Sequence, residues 1–362
     1  MSEPVYALIT GGGTGGHTYP AIAVAQELVA RGHARESIRF IGGKRGIEGD
    51  AVPDAGFAID LLAGRGLQRR LTLENFEAFW GAFTAFVHAF RLVRRYRPRI
   101  VVGFGGYASL PCVAAARLLR VPTLVHEQDA APGLANRIGV RMGARAATSL
   151  PDTPLPGATL TGNPVRDVIA AIERKPETDP ALLAVFGGAQ GARTINRAAL
   201  GCYERWRDRE DLAVHHVCGP RNLDECRATL DGQRREGDTL VYDLVPYEPH
   251  MESLLARAAL AVCRSGAGTV AELTVAGVPA VLVPLPGSPS DHQMRNARTL
   301  ERAAAAIVIP DGECDPTRLD ATVSELIATP DRLVAMGAAA GALGRPDAAA
   351  RVADLVEEQA RA

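Results

Sequence analysis

The chain has 362 residues, of which 40 are basic and 41 acidic, and its formal net charge is −1. This length favours two domains of about 150 to 200 residues each. The near-neutral charge, without a block of like charge, excludes the electrostatic signature of a nucleic-acid-binding protein.

The cysteine and hydropathy patterns bear on where the protein works. Six scattered cysteines form no C-x-x-C pair, which is typical of reduced thiols, so we expect a cytoplasmic protein. No apolar run approaches the roughly 20 residues of a transmembrane helix, and the N-terminus lacks a signal-peptide pattern. We therefore expect any membrane contact to be peripheral.

Apolar runs typical of strands alternate with helical patterns along most of the chain. In chain order, the runs cover residues 6–10, 38–41, 100–103, 123–126, 182–186, 213–218, 239–242, 260–263 and 280–284. Continuous apolar strands separated by helices predict an α/β protein with parallel sheets covered on both faces. After the first run, the helix is expected to begin near Pro20.

A weak internal repeat divides the chain into two similar halves. Residues 101–127 and 261–286 both read as strand, glycine turn, helix, Val-Pro and a second strand, and the loop GGGTGGH at 11–17 resembles GGAQGAR at 187–193. Each half is therefore predicted to form a Rossmann-type sheet with glycine loops at the carboxyl ends of strands. The Pro-rich and Thr-rich stretch 151–164 is the predicted seam, and a cleft between the halves is the expected active site.

The first glycine loop satisfies G-x-G-x-x-G, but a dinucleotide site also needs an acidic residue at the end of the second strand. That strand ends in Gly42 and Gly43, and Glu36 precedes it. The loop is thus interpreted as a site for another phosphate. A tight turn without a ligand is the structural alternative.

The second half offers a diphosphate site in CRSGAGTVAE. Gly266 and Thr269 open a helix, and Arg264 supplies a cation beside it. Glu272 follows one turn later and suits a ribose diol, although a first-turn Glu is also favoured by the helix dipole. The segment SDHQMRNA at 290–297 suits sugar hydroxyls or serves as a polar helix start.

Six motifs in order carry a family resemblance: GGGTGGHTYP, GFGGYASLP, HEQD, TGNPVR, GGAQGARTIN and CRSGAGTVAE. Together they resemble the family 28 glycosyltransferases of peptidoglycan synthesis. The resemblance implies a GT-B fold with Rossmann-like domains at 1–163 and 164–345 facing a deep cleft, and a helix at 346–362 that joins the first domain. It also implies inverting, metal-independent transfer of N-acetylglucosamine from UDP-N-acetylglucosamine to lipid I, without a cofactor, giving lipid II.

The same resemblance implies where each substrate binds. Donor-binding residues would be Arg166, Gly188, Ala189, Gln190, Asn196, Val245, Arg264, Gly266, Thr269, Glu272, Gln293 and Asn296. Acceptor-binding residues would be Thr14, Gly15, Gly16, His17, Gly105, Gly106, Tyr107, Asp129 and Asn136. The sequence departs from the family pattern at Ala189, where Ser is usual, at Asp129, where Asn is usual, and at His292, often Gln.

The reaction needs a base for the acceptor hydroxyl. His17 is the leading candidate because imidazole titrates near neutral pH and the residue follows the first loop; phosphate binding or helix capping is its alternative role. His126 and Glu127 are the other candidates, as base, orienting groups or acceptor contacts.

An aromatic stripe with basic flanks lies in residues 69–99. Phe76, Phe79, Trp80, Phe83, Phe86 and Phe90 recur at helical spacing, flanked by Arg69, Arg70, Arg91, Arg94 and Arg95. Such a stripe is either core or a face that settles on anionic lipid.

With the resemblance, the stripe implies a peripheral enzyme at the inner leaflet of the bacterial membrane, with possible cell-wall and division proteins as partners. A GT-B transferase or a UDP-sugar epimerase that acts on a soluble substrate remains the alternative, as does a nucleotide-binding module without turnover.

Overall fold

The computed structural model describes residues 5–44, 46–62 and 74–361, with residues 74–80 and 82 described by backbone alone. The chain divides into two compact units, Met1–Asp167 with Arg345–Ala362, and Val168–Gly344. The domain boundaries expected at 163/164 and 345/346 stay predictions.

The first unit contains, within the described residues, a seven-stranded parallel sheet. Its strands are β1 (Ala7–Thr10), β2 (Ile38–Gly43), β3 (Ala58–Leu62), β4 (Ile100–Gly103), β5 (Thr123–Glu127), β6 (Arg145–Thr148) and β7 (Thr159–Leu160). The order β3-β2-β1-β4-β5-β6-β7 places β1 and β4 side by side, so the loops that follow them leave the same edge of the sheet.

The second unit contains a six-stranded parallel sheet in the order β10-β9-β8-β11-β12-β13, counted over the part of the chain that is described. Its strands are β8 (Ala181–Phe186), β9 (Leu212–Val217), β10 (Val241–Val245), β11 (Leu260–Cys263), β12 (Ala280–Leu282) and β13 (Ala306–Val308). The α/β class with two Rossmann-like sheets is thereby confirmed.

Helices follow most of the strands. They are α1 (Gly15–Ala30), α2 (Glu48–Asp54), α3 (Glu74–Tyr96), α4 (Ser109–Leu118), α5 (Leu134–Arg141), α6 (Asp167–Ala170), α7 (Arg193–Trp206), α8 (Leu223–Gln233), α9 (Met251–Arg257), α10 (Ala267–Ala276), α11 (His292–Arg302), α12 (Pro316–Ile327), α13 (Pro330–Leu343) and α14 (Ala348–Arg361).

Alternate residues of β1 show how both sheet faces of the first unit are covered. Ile9 packs in a buried cluster with Leu28 of α1 and Val352 of α14, whereas Leu8 packs in another with Leu92 of α3 and Cys112 of α4. Because both faces are apolar, the strand is a continuous hydrophobic run without polar alternation. Helix α14 thus belongs to the core of the first unit although it follows the whole second unit in the chain.

Helix α1 begins at Gly15, five residues before the expected start at Pro20. Thr18 donates its backbone N–H to the Thr14 carbonyl at 3.2 Å, which closes the first turn upstream of the proline. Pro20 cannot donate to the carbonyl four residues earlier, but its ring is buried and the helix continues through it. The first glycine loop, predicted to bind a phosphate, is therefore shorter than the sequence suggested.

Four strands were not anticipated, namely β3, β6, β7 and β13, and the strand expected at 239–242 lies at β10 instead. Thr239 and Leu240 donate their N–H groups to the Arg207 carbonyl, at 2.9 Å each, rather than to the neighbouring strand. This displaces the start of β10 by two residues.

No single helix in the described ranges has the length and hydropathy to cross a bilayer; one bent pair, Pro316–Ile327 with Pro330–Arg361, meets that test by length and composition.

Candidate active site

The first glycine loop runs from β1 to α1 and is held by a buried carboxylate. Gly12 and Gly13 have φ values of +152° and +94°, which L side chains rarely adopt. Gly13 donates its N–H to Glu48 Oε2 at 2.9 Å, and Gly43 at the end of β2 donates to Glu48 Oε1 at 2.8 Å. Glu48 is 2% exposed. The Gly13 N–H in the predicted phosphate loop therefore binds Glu48, while Thr14 is the N-cap residue of α1 and Gly15 and Gly16 are its first residues.

The turn after β4 packs directly on that loop. Gly105 and Gly106 have φ values of +82° and +77°. A Cβ on Gly106 would lie 2.3 Å from the Gly12 carbonyl oxygen, so only glycine permits this approach. Tyr107 follows, half-buried, and its burial raises the pKa of its hydroxyl. The predicted acceptor loops are thus brought together at one sheet edge.

His17 and His126 are joined by a glutamine. His17 Nδ1 lies 3.1 Å from Gln128 Oε1, and Gln128 Nε2 lies 3.0 Å from His126 Nδ1. His126 is fully buried, and its Nε2 lies 2.9 Å from the Gly162 carbonyl oxygen. Burial lowers the pKa of His126 to about 4, which keeps the ring neutral. His17 is half-buried, whereas the other candidate bases, His126 and Glu127, are buried, so His17 is the most exposed of the three.

Glu127 organises the loop between β5 and α5. Its carboxylate accepts hydrogen bonds from Asp129 N at 3.1 Å, from Gly133 N at 2.9 Å and from Asn136 Nδ2 at 2.8 Å. Burial raises the pKa of Glu127, although those three donors act in the opposite direction. Asn136 also donates to the His126 carbonyl oxygen at 3.0 Å. This geometry suits the orienting role considered for Glu127.

In the second unit, Arg264 follows β11 and forms an ion pair that the sequence did not indicate. Its Nη1 lies 2.6 Å from Asp311 Oδ1 and 2.9 Å from the Val283 carbonyl oxygen. Thr194 donates its hydroxyl to the other Asp311 oxygen at 3.2 Å. Asp311 therefore orients the cation beside the glycine turn, where a diphosphate is expected.

Helix α10 begins directly after Gly266, its N-cap residue. Thr269 and Glu272 both lie on it, half-buried. The Glu272 carboxylate lies near the end of β11. Burial, and then the charge of Glu272, raise the pKa of Cys263, the last residue of that strand. The structure thus brings together the residues expected to hold UDP.

Several of the other expected donor residues are exposed. Gly188, Ala189 and Gln190 form an exposed loop after β8, and Arg166 is exposed at the end of the first unit. Gln293 accepts the Leu285 N–H at its amide oxygen, 3.0 Å away. His292, one of the departures from the family pattern, is the first residue of α11.

Asn196, Asn296 and Val245 make contacts within the protein. Asn196 donates to the Cys218 carbonyl at 2.9 Å, and its amide oxygen lies 3.0 Å from His216 Nε2. Fully buried Asn296 donates to the Ser265 carbonyl at 3.1 Å. The Val245 carbonyl accepts the Cys218 N–H at 3.0 Å. The donor contacts expected of these three residues stay predictions.

Two Rossmann-like parallel sheets, each with glycine loops at the carboxyl ends of its strands, are the architecture of GT-B glycosyltransferases. The models of the glycosyltransferase family 28 N-terminal and C-terminal domains match residues 7–148 and 182–352. The chain belongs to glycosyltransferase family 28.

Relatives and solved structures agree with this family. A UDP-N-acetylglucosamine--N-acetylmuramyl-(pentapeptide) pyrophosphoryl-undecaprenol N-acetylglucosamine transferase from Alkalilimnicola ehrlichii is 39% identical, covering 100% of both chains. The transferase of the same name from Desulforamulus reducens is 36% identical over 97% of this chain and 98% of its own. A crystal structure of Acinetobacter baumannii MurG superposes with a TM-score of 0.80 at 28% identity, covering 98% of this chain and 100% of that one.

A solved UDP-GlcNAc 2-epimerase from Neisseria meningitidis shares the fold, with a TM-score of 0.65, but only 11% of its residues are identical over 98% of this chain and 100% of that one. That likeness shows fold alone, and the relatives support a transferase over an epimerase.

Proposed function

We propose that this protein transfers N-acetylglucosamine from UDP-N-acetylglucosamine to the 4-hydroxyl of the N-acetylmuramyl-pentapeptide of lipid I, giving lipid II and UDP. The observation that carries the proposal is the full-length match to transferases of that name at 36% and 39% identity. The glycine loops in both units supply the two anion sites that a diphosphate donor and a diphosphate-linked acceptor require.

The reaction exchanges one C–O bond for another. The acceptor oxygen attacks the anomeric carbon with inversion, its proton moves to the His17 imidazole, and the bond to UDP breaks so that its electron pair stays on the β-phosphate oxygen. Arg264 and the N-terminus of α10 stabilise the charge that develops there. Glu272 binds the ribose hydroxyls.

The acceptor diphosphate binds at the N-terminus of α1 and the turn at Gly105 and Gly106. The α1 start offers first-turn N–H groups that the helix itself does not use. Asp129 lies two residues beyond Glu127 in the loop that precedes α5. Its carboxylate is therefore a second one, after that of Glu127, near the proposed site of the acceptor diphosphate. Its repulsion of the acceptor is modest because it is partly exposed to solvent.

Contact with the inner leaflet is peripheral and involves α3. Phe83 on this helix is 49% exposed, and Arg91, Arg94 and Arg95 are exposed near its end. Exposed aromatic surface with basic neighbours binds anionic lipid reversibly. Three further members of the stripe, Phe76, Phe79 and Trp80, have side chains outside the described residues, and Arg69 and Arg70 lie outside them altogether. Contacts with cell-wall and division proteins stay a prediction.

The test is an assay with labelled UDP-N-acetylglucosamine and a lipid I analogue, following UDP release and disaccharide formation together. We expect equal amounts of both products, and neither with a matched analogue that lacks the 4-hydroxyl. UDP release that does not depend on the acceptor would contradict the proposal, as would epimerisation of the donor.

A further inference from the structure

The hydrogen-bonded series Gly162, His126, Gln128 and His17 fixes where the proton of the candidate base resides. All four residues lie in the first unit. The series joins the TGNP, HEQD and GGGTGGH segments, which are far apart in sequence. Because carbonyl oxygens only accept hydrogen bonds, each proton in the series can be placed by starting from the backbone.

The first proton is on His126. Its Nε2 lies 2.9 Å from the Gly162 carbonyl oxygen, so this nitrogen must carry a hydrogen. Gly162 has a φ of +87°, and a Cβ there would lie 2.4 Å from the Arg345 Cβ, so the backbone that presents the carbonyl is held by close packing. His126 is neutral, because burial lowers its pKa to about 4, and its Nδ1 is therefore an acceptor.

The next step orients Gln128. Its amide nitrogen lies 3.0 Å from His126 Nδ1 and 3.2 Å from the His126 carbonyl oxygen, and both of these atoms are acceptors. The NH₂ group therefore faces His126, since an inverted amide would bring its oxygen against two acceptors. Gln128 is 1% exposed, so water does not offer an alternative arrangement.

The last step reaches His17. Its Nδ1 lies 3.1 Å from Gln128 Oε1, and an amide oxygen can only accept, so His17 Nδ1 carries the hydrogen. In the neutral ring the lone pair is then on Nε2. We infer that Gln128 is a positioning residue that holds His17 in the Nδ1–H tautomer, so that Nε2 is the atom that takes the acceptor proton. This deepens the proposed function, because it concerns the base of that same transfer.

The tautomer can be measured without any substrate. In full-length protein labelled with ¹⁵N-histidine, two-bond ¹H–¹⁵N spectra distinguish protonated from bare ring nitrogens, and the His17→Gln variant assigns the His17 signals. We expect a protonated Nδ1 and a bare Nε2 for His17, with the opposite pattern for His126. A protonated Nε2 on neutral His17 in the wild-type protein would overturn the inference, even if the enzyme makes lipid II.

Variants of Gln128 separate positioning from structure. Gln128→Met removes the acceptor, so the His17 signals should shift toward a mixture of both tautomers, while kcat falls about 10- to 100-fold with KM for the acceptor little changed, as a partial loss of general-base catalysis. Gln128→Glu keeps an acceptor for His17 Nδ1 and should retain the His17 tautomer, but its second oxygen faces His126 Nδ1 and the His126 carbonyl oxygen, so we expect the His126 signals to change and stability to fall. His33, which contacts Glu357 on α14, is the internal control whose signals stay unchanged. An unaltered His17 tautomer in folded Gln128→Met would contradict the inference.

Discussion

At the scale of single residues, Glu272 gives a direct test of donor binding. Replacing it with Ala should raise KM for UDP-N-acetylglucosamine by the equivalent of about 1.5 to 3 kcal/mol, the loss expected for a charged hydrogen bond. Steady-state kinetics with varied donor measure this. Glu325→Ala, which removes an exposed carboxylate on α12, is the control. An unchanged donor KM would refute the ribose contact.

His17 is tested by its effect on kcat. His17→Ala should lower kcat by about 10² to 10⁴, the usual contribution of general acid–base catalysis, and leave UDP affinity nearly unaltered. The exposed His250 in the second unit supplies the control variant, His250→Ala. If only KM for the acceptor rises, His17 binds phosphate and another group is the base.

Glu48 is expected to support both the fold and acceptor binding. Its two oxygens accept N–H groups from two glycine segments, so Glu48→Gln leaves one donor facing an NH₂ group. We expect a loss of about 1 to 3 kcal/mol in unfolding free energy and a higher KM for the acceptor. Urea unfolding and kinetics measure the two effects. Asp50→Asn, on the exposed side of the same helix, should change neither.

The sequence indicated the glycine loops and His17 but not the residues that hold them. Glu48 contacts Gly13 across 35 residues, Gln128 contacts His17 across 111, and Asp311 contacts Arg264 across 47. Local motifs encode backbone conformation and residue type. Contacts at such separations depend on which strands pair, which no single motif specifies.

At the scale of elements, the strands that the sequence predicted well are those buried on both faces. Central strands such as β1, β4, β8 and β11 are continuous apolar runs, and they were predicted within a residue. Strands β3 and β7 lie at the two edges of the first sheet. The first contains Asp60 and the second is only two residues long, so neither has the apolar signal of a strand buried on both faces.

Helix α3 combines both interpretations of the aromatic stripe. Phe86 packs against the buried cluster that includes Leu92, whereas Phe83 is half-exposed. Phe83→Ser should weaken sedimentation with anionic vesicles and slow transfer to a long-chain acceptor, with little change in unfolding. Phe86→Ser should instead lower stability. Equal destabilisation by both variants would show that Phe83 belongs to the core.

At the scale of the whole molecule, each unit contains a buried neutral histidine. Burial lowers the pKa of His126 to about 4 and that of His216 to about 3. The unfolded chain binds these protons near pH 6.5, whereas the folded chain does not until the pH approaches those lower values. Their contribution to stability is therefore complete above pH 6.5 and is lost as the pH falls toward 4 and 3.

Urea unfolding at pH 7.5 and 5.5 tests this dependence before most carboxylates titrate. As the pH falls from 7.5 to 5.5, protonation of each histidine in the unfolded chain should lower the unfolding free energy by about 1 kcal/mol. His216→Gln removes one titrating group and should make the dependence of the second unit shallower. A midpoint that is the same at both pH values would be inconsistent with two neutral buried rings.

The position of helix α14 in the chain determines which unit can complete its hydrophobic core first during synthesis. The ribosome makes residues 168–344 before the helix whose Val352 and Val356 fill the core of the first unit. The second unit can therefore close its own core while the first still exposes the apolar surface of α1, β4 and β5 that α14 covers. A nascent chain in that state offers a chaperone a hydrophobic surface in the half that begins first, so the unit that starts earlier is the one that finishes later.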